Sequence, residues 1–244
     1  MESNIVLKAK NISKTFTVSE DSHNTVKHRL FSLFNPLRKK RVEALKMLSL
    51  DIEKGECVGF IGRNGCGKST LVKVLAGVYP SDSGYLKIDG STMLMNLGVG
   101  MNYELTAREN IYVSGSILGL KIKEIDRIFE KIIAFAEIEN FVDTKIKFFS
   151  SGMMARLSFS IAVNAGADIM FLDEIFAVGD MKFQEKAVKV FEGSWIEGKT
   201  VVLISHSMEV IQKYCKRVGF MKNGELVYFG DPDKAIEMYL ADNQ

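Results

Sequence analysis

The sequence predicts an α/β protein built on a parallel sheet with helices on both faces. Three observations carry the prediction. Short apolar runs recur at residues 57–61, 169–172, 201–204, 218–221 and 226–229. Stretches of helical period lie between some of them. A glycine-rich loop over 62–67 joins the first run to an apolar helix over 68–76. Apolar runs of four or five residues bounded by turn signals suit strands buried on both faces. Alternating strands and helices place such strands side by side in one sheet.

The elements follow in order. Residues 5–9 read as a strand, and 11–16 lead into a polar stretch at 19–25. Residues 26–41 form a basic segment in which Val26, Leu30, Leu33, Phe34 and Leu37 recur at helical steps. Lys27, Arg29, Arg38, Lys39, Lys40 and Arg41 add charge, and Pro36 ends any helix before the last cluster. Such a stripe suits a membrane surface or a partner helix, or an excursion whose apolar face packs on its own chain. Residues 44–52 alternate weakly, Gly55 marks a turn, and 85–89 form a short strand closed by Gly90. From 104 to 166 the period is helical, with Ile122, Ile125, Phe129, Ile132, Ile133 and Ala136 at three- and four-residue steps. A last helix covers 234–240. The expected organisation is one domain over 1–244, with a core from 1–96 and 167–244 and a helical subdomain over 97–166.

Composition narrows the function. Of 244 residues, 47% are hydrophobic and 25% charged, which excludes disorder as the main state. Three prolines exclude a proline-rich fibre. A net charge of +2 gives no reason to expect a nucleic-acid partner. No run of about 18 apolar residues exists to span a membrane, and residues 1–10 lack the apolar stretch of a secretion signal. Any membrane role is therefore expected to be peripheral. Cys57, Cys66 and Cys215 are odd in number and distant in sequence, which favours neither a disulfide framework nor a zinc site and suits a reducing compartment.

Gly62, Arg63, Asn64, Gly65, Cys66, Gly67, Lys68 and Ser69 fit the pattern GxxxxGK[ST], with Thr70 next in the helix. An apolar strand before the loop and an apolar helix after it are what a phosphate cradle needs. Glycines let backbone N–H groups turn inward on phosphate oxygens, and the helix start adds partial positive charge. Lys68 is placed to bind the β- and γ-phosphates and the Ser69 hydroxyl to hold Mg²⁺. Residues 169–174 are an apolar strand ending in two carboxylates. Asp173 is placed to reach Mg²⁺, and Glu174 to polarise an attacking water. His206 closes another apolar strand, on the edge where open α/β sheets bind ligands. Cys66 sits inside the loop. Backbone dipoles there favour a thiolate that alkylating agents attack and ATP protects, against the bland alternative of a buried, inert small residue.

Residues 149–153, FSSGM, resemble in altered form the LSGGQ signature of ATP-binding-cassette ATPases. Phe16 matches that family's adenine-stacking aromatic, residues 177–180 its D-loop with Asp180, and His206 its switch histidine. The motifs stand in family order and the resemblance covers essentially the whole chain. The signature, LTAREN at 105–110 and DEIFAVGD at 173–180 resemble the ATPase subunits of bacterial polysaccharide exporters. The resemblance implies a P-loop NTPase cassette with a RecA-like core, an antiparallel β-subdomain and a helical subdomain. It implies hydrolysis of ATP with Mg²⁺, a homodimer, and separate membrane-spanning permease subunits. The complex would move a lipid-linked polysaccharide of O-antigen, capsule or teichoic-acid type, with this chain at the cytoplasmic face of the membrane. Each ATP would sit between one chain's phosphate loop and the other's Ser150, Ser151 and Gly152, a second anion-binding helix start. The runner-up is the ATPase of an exporter for drugs or small solutes. Soluble cassettes of DNA repair or translation need a coiled coil or two cassettes, and a regulator without turnover fits poorly with Lys68, Asp173, Glu174 and His206. Two departures stand out. The family's glutamine between the phosphate loop and the helical insertion is missing, since Gln184, Gln212 and Gln244 all come later and Asn96 or Leu97 falls near its place. Met153 stands where glutamine ends the signature and has no side-chain donor.

Overall fold

Two long strands, β1 (Ile5–Ser19) and β2 (Lys39–Glu53), pair antiparallel from Ile5↔Glu53 out to Ser19↔Lys39. The computed structural model describes residues 4–19, 39–95, 100–173, 180–190, 192, 198–205 and 207–242. With β4 (Ser83–Ile88) on its other side, β1 forms the centre of a three-stranded antiparallel sheet. The first strand is much longer than the five residues its apolar alternation marks. Register shifts between Ala9 and Thr15, and Asn11 at φ 50°, break the period of two that would reveal it. Lys39, Lys40 and Arg41 are strand residues opposite Ser19, Val18 and Thr17. The rest of the basic segment, from Val26 to Arg38, lies outside the described residues.

The second sheet has β5 (Thr92–Met95), β6 (Ile169–Asp173), β7 (Thr200–Ile204), β3 (Cys57–Ile61), β8 (Arg217–Lys222) and β9 (Glu225–Gly230), in that order. It is parallel through β8. Both faces are apolar, with alternate residues feeding separate cores. Ile61, Met170, Leu172, Val201 and Leu203 face one core, while Val58, Phe60, Ile169, Phe171, Val202 and Ile204 face the other. Each such side chain fully buried contributes about 1.5–3 kcal/mol. Helix α1 (Lys68–Leu75) covers the second face with Leu71, Val72, Val74 and Leu75. The first is covered by α4 (Ser151–Ala165), α5 (Met181–Val190), α6 (Met208–Tyr214) and α7 (Pro232–Asp242), through Phe159, Phe183, Ile211 and Ala235.

β9 runs antiparallel to its neighbour β8 instead of extending the parallel series. Only Asn223 and Gly224 separate the two strands, too short a link for a crossover, and both take positive φ as an Asn-Gly hairpin turn requires. β5 escapes the sequence pattern because it is a four-residue edge strand.

Helices α2 (Ala107–Ile117), α3 (Ile122–Ala136) and α4 enclose a third core of Ile111, Ile125, Phe129, Ile132, Ile133, Leu157 and Ile161. Thr106 and Glu109 start α2 with a reciprocal cap, each side chain accepting from the other's backbone N–H. Of the residues predicted to line α3's buried stripe, only Ile122 is exposed, because it opens the helix. Among the described residues no helix is long and apolar enough to cross a membrane.

Candidate nucleotide-binding site

The C-terminal ends of β3, β6 and β7 lie on one edge of the parallel sheet, and the phosphate loop emerges there from β3. Gly62 (φ 151°) and Gly67 (φ 111°) are backbone requirements. A Cβ on Gly62 would fall 2.3 Å from the Met221 carbonyl oxygen, and one on Gly67 2.5 Å from that of Ala44. Arg63, Asn64 and Gly65 form the exposed arc between them. The loop is clamped from below by the β8–β9 turn. The Gly224 N–H donates to the Cys66 carbonyl at 2.9 Å, and the Lys46 N–H to the Gly224 carbonyl at 2.9 Å.

Gly67 caps α1 without a side chain, so no capping side chain occupies the helix start. Lys68 is 7% exposed, and its Nζ donates to the carbonyls of Gly62 at 2.6 Å and Arg63 at 3.0 Å. These bonds fold the ammonium back across the loop. A 910 Å³ cleft opens over it, lined by Phe16, Asn64, Gly65, Gly67, Lys68, Ser69 and Thr70 together with Val18, Val42 and Asn223. A cavity of that size accommodates a nucleotide. Sequence reasoning missed Val18, Val42 and Asn223. The valines lie on the outer hairpin beyond Phe16, where no periodicity marked strands, and the Asn223-Gly224 pair was the available turn signal.

Gly62, Arg63 and Cys66 belong to the loop without lining the cleft. The Cys66 thiol is 6% exposed, packs in the second core beneath Gly62 and lies 4.0 Å from Lys68 Nζ. Its burial favours the inert alternative over the reactive one. Cys57 and Cys215, distant in sequence, meet inside the first core at an Sγ–Sγ distance of 3.9 Å as free thiols. Asp173 ends β6 opposite Ile204, at the same sheet edge as the loop. Glu174, residues 177–179, Asn96, Leu97 and His206 lie outside the described residues. Ser207, beside His206, caps α6 by accepting from the Val210 N–H at 3.4 Å.

The signature residues stand apart from the cleft. Ser150 caps α4, its Oγ accepting from the Met153 N–H at 3.2 Å. The helix begins at Ser151, so Ser151 and Gly152 present first-turn N–H groups that no helix satisfies internally. Asp180 caps α5 through its Oδ1 and the Phe183 N–H at 2.9 Å. The cleft of one chain therefore contains the phosphate loop and lacks the signature.

A family model for ABC transporters matches residues 45–177. The chain belongs to the ABC transporter family. Within it, this cassette is 39% identical over 241 residues to a teichoic acids export ATP-binding protein of Enterococcus faecalis, and covers 54% of that protein. It is 36% identical over 238 residues to an O-antigen export system ATP-binding protein of Klebsiella pneumoniae, covering 97% of it. The chain thus spans about half the length of the first relative and nearly all of the second. Among solved structures, the fold matches an ATP binding subunit of an ABC transporter at TM-score 0.75 and 19% identity, over 98% of this chain and 100% of that one. A dimeric ATP-binding cassette bound to ADP and Pi matches at TM-score 0.72 and 22% identity, over 93% and 98%.

Proposed function

We propose that this ABC transporter chain is the ATP-hydrolysing subunit of an exporter for a lipid-linked polysaccharide of the O-antigen, capsule or teichoic-acid type. The observation that carries the reading is the 36% identity to an O-antigen export ATP-binding protein across 97% of that protein's length. The cleft fits a triphosphate on its own terms. It offers a buried lysine already turned across the loop, a helix start with no capping side chain, and glycines at positions where a Cβ would collide with the backbone that supports the loop. In this reading Lys68 and the loop N–H groups hold the β- and γ-phosphates, and Phe16 stacks on the adenine. Ser69 and Asp173 hold Mg²⁺, which neutralises charge on the phosphates. Glu174 polarises the water and His206 contacts the γ-phosphate. Residues 97–166 act as the subdomain that carries the signature.

Since one chain has a single phosphate loop and a single signature, two copies are needed to enclose each ATP, with Ser150, Ser151 and Gly152 of the second chain over the first chain's cleft. ATP closes the pair, and hydrolysis with product release opens it. The difference between the two states supplies the work to permease subunits that span the membrane, and this chain sits on their cytoplasmic side. The test is in the producing cell. Lys68→Ala should abolish surface glycan while lipid-linked glycan accumulates inside. Normal surface glycan with the variant as sole copy would refute the reading.

A further inference from the structure

The turn between α1 and β4 folds against β1 beside Phe16. The β1–β4 ladder runs from Leu7↔Ile88 to Ser13↔Ser83 and stops. Beyond Ser13, no strand among the described residues pairs with that edge of β1, and Asp82 takes the strand's place. Its backbone N–H donates to the Ser13 carbonyl at 2.8 Å. Its carboxylate accepts from the Thr15 backbone N–H at 2.6 Å and from Lys14 Nζ at 2.7 Å. The hydrogen bond from Lys14, with that from Thr15, holds this carboxyl below the usual range, so it stays charged through neutral pH. Lys14 Nζ in turn lies over the Phe16 ring, 5.8 Å from its centroid.

The same turn brings up a second contact. Tyr79, half-buried against the second core, meets Phe16 edge to face at 5.7 Å and 70°. Lys73 Nζ stands 5.6 Å from the Tyr79 ring centroid. Phe16 itself lies on an outer hairpin whose next residues, Thr17 and Val18, are exposed.

We propose that Asp82 and Tyr79 are positioning residues for the base platform: Asp82 fixes the backbone that carries Phe16, and Tyr79 fixes its ring. The inference rests on the proposed stacking role of Phe16. It assigns the adenine-dependent share of nucleotide affinity to a turn that lines no part of the phosphate cradle. An edge-to-face pair restrains a ring in one orientation, and a ring held in place loses less freedom when a base stacks on it.

The experiment titrates Mg-ATP and magnesium tripolyphosphate, which has the phosphates and no base, into the full chain. Phe16→Ala should weaken ATP about 5–150-fold, the range for one base–aromatic stack. Tyr79→Leu and Asp82→Ala should each weaken it about 2–10-fold, and Tyr79→Phe should bind like wild type. Tripolyphosphate affinity should be unchanged throughout, and combining either substitution with Phe16→Ala should add nothing. If Asp82→Ala fails to fold, Asp82→Asn serves, keeping an acceptor for Thr15 while losing the charge that holds Lys14. Weakened ATP binding in Phe16→Ala, with wild-type binding in Tyr79→Leu and Asp82→Ala, would overturn the inference alone. So would equal losses for ATP and tripolyphosphate. Unchanged ATP binding in Phe16→Ala would overturn the base platform and this inference with it.

Discussion

Replacing Lys68 by Ala removes a cation from the floor of the cleft and frees the Gly62 and Arg63 carbonyls that it bonds. A hydrogen bond to a charged group is worth about 1.5–3 kcal/mol, so ATP should bind roughly 10–150-fold more weakly. Equilibrium titration checks this, and unchanged affinity would contradict it. The three cysteines give a second prediction at this scale. All are buried and free, at 6% exposure each. A short pulse of a bulky maleimide on the native chain should label none of them appreciably, whereas unfolding should expose all three, as mass spectrometry would read. Rapid labelling of Cys66 with loss of nucleotide binding would restore the reactive-thiol alternative. The residues of the phosphate loop were legible because the chemistry demands glycines and a lysine at fixed steps. Val18, Val42 and Asn223 were not, because they reach the cleft only through strand pairing and a hairpin turn.

Among the elements, an ion pair at Arg217 helps to tie the two sheets together. Arg217 on β8 donates from Nε to Glu56 Oε1 at 2.5 Å and from Nη2 to Glu56 Oε2 at 2.7 Å, and also reaches the Asp51 carbonyl on β2 at 2.9 Å. Burial pushes the Glu56 carboxyl up, but the Arg217 hydrogen bonds and the Glu53 backbone N–H outweigh it, and the group ends below the usual range. A carboxyl lowered by folding stabilises the native state fully above its unfolded value, about 4.3 for glutamate. That stability is lost as pH falls through the lower folded value. Glu56→Gln should therefore cost about 2–4 kcal/mol at pH 7 and flatten the fall of Tm as pH drops below about 4.3. Equal Tm values for variant and wild type at pH 7 would contradict the clamp. Strands buried on both faces were readable as apolar runs. The outer half of β1 was hidden by its irregular register, and β5 by its four-residue length. The direction of β9 was readable in principle from Asn223-Gly224, but only with the turn geometry in mind.

For the whole molecule, the proposed function turns on the separation of two helix starts. α1 opens beneath the cleft, and α4 opens at Ser150 in the helical region, outside the cleft lining. One chain can supply either to a given triphosphate, and two chains can supply both. The order of motifs made this pairing readable from sequence as a resemblance, while no periodicity or composition signals an interface that forms only around a ligand. Glu174→Gln should keep ATP binding and cut turnover about 10²–10⁴-fold, the usual worth of a general base. Near-normal hydrolysis at saturating ATP would remove that role. A variant that binds without hydrolysing also holds the closed state long enough to weigh. The most direct measurement is the solution mass of the Glu174→Gln chain by light scattering, with and without saturating Mg-ATP. A monomer mass is expected without nucleotide and a doubled mass with it, reversed when Ser151→Arg blocks the signature helix start. A chain that remains a monomer with ATP verifiably bound would contradict the shared site.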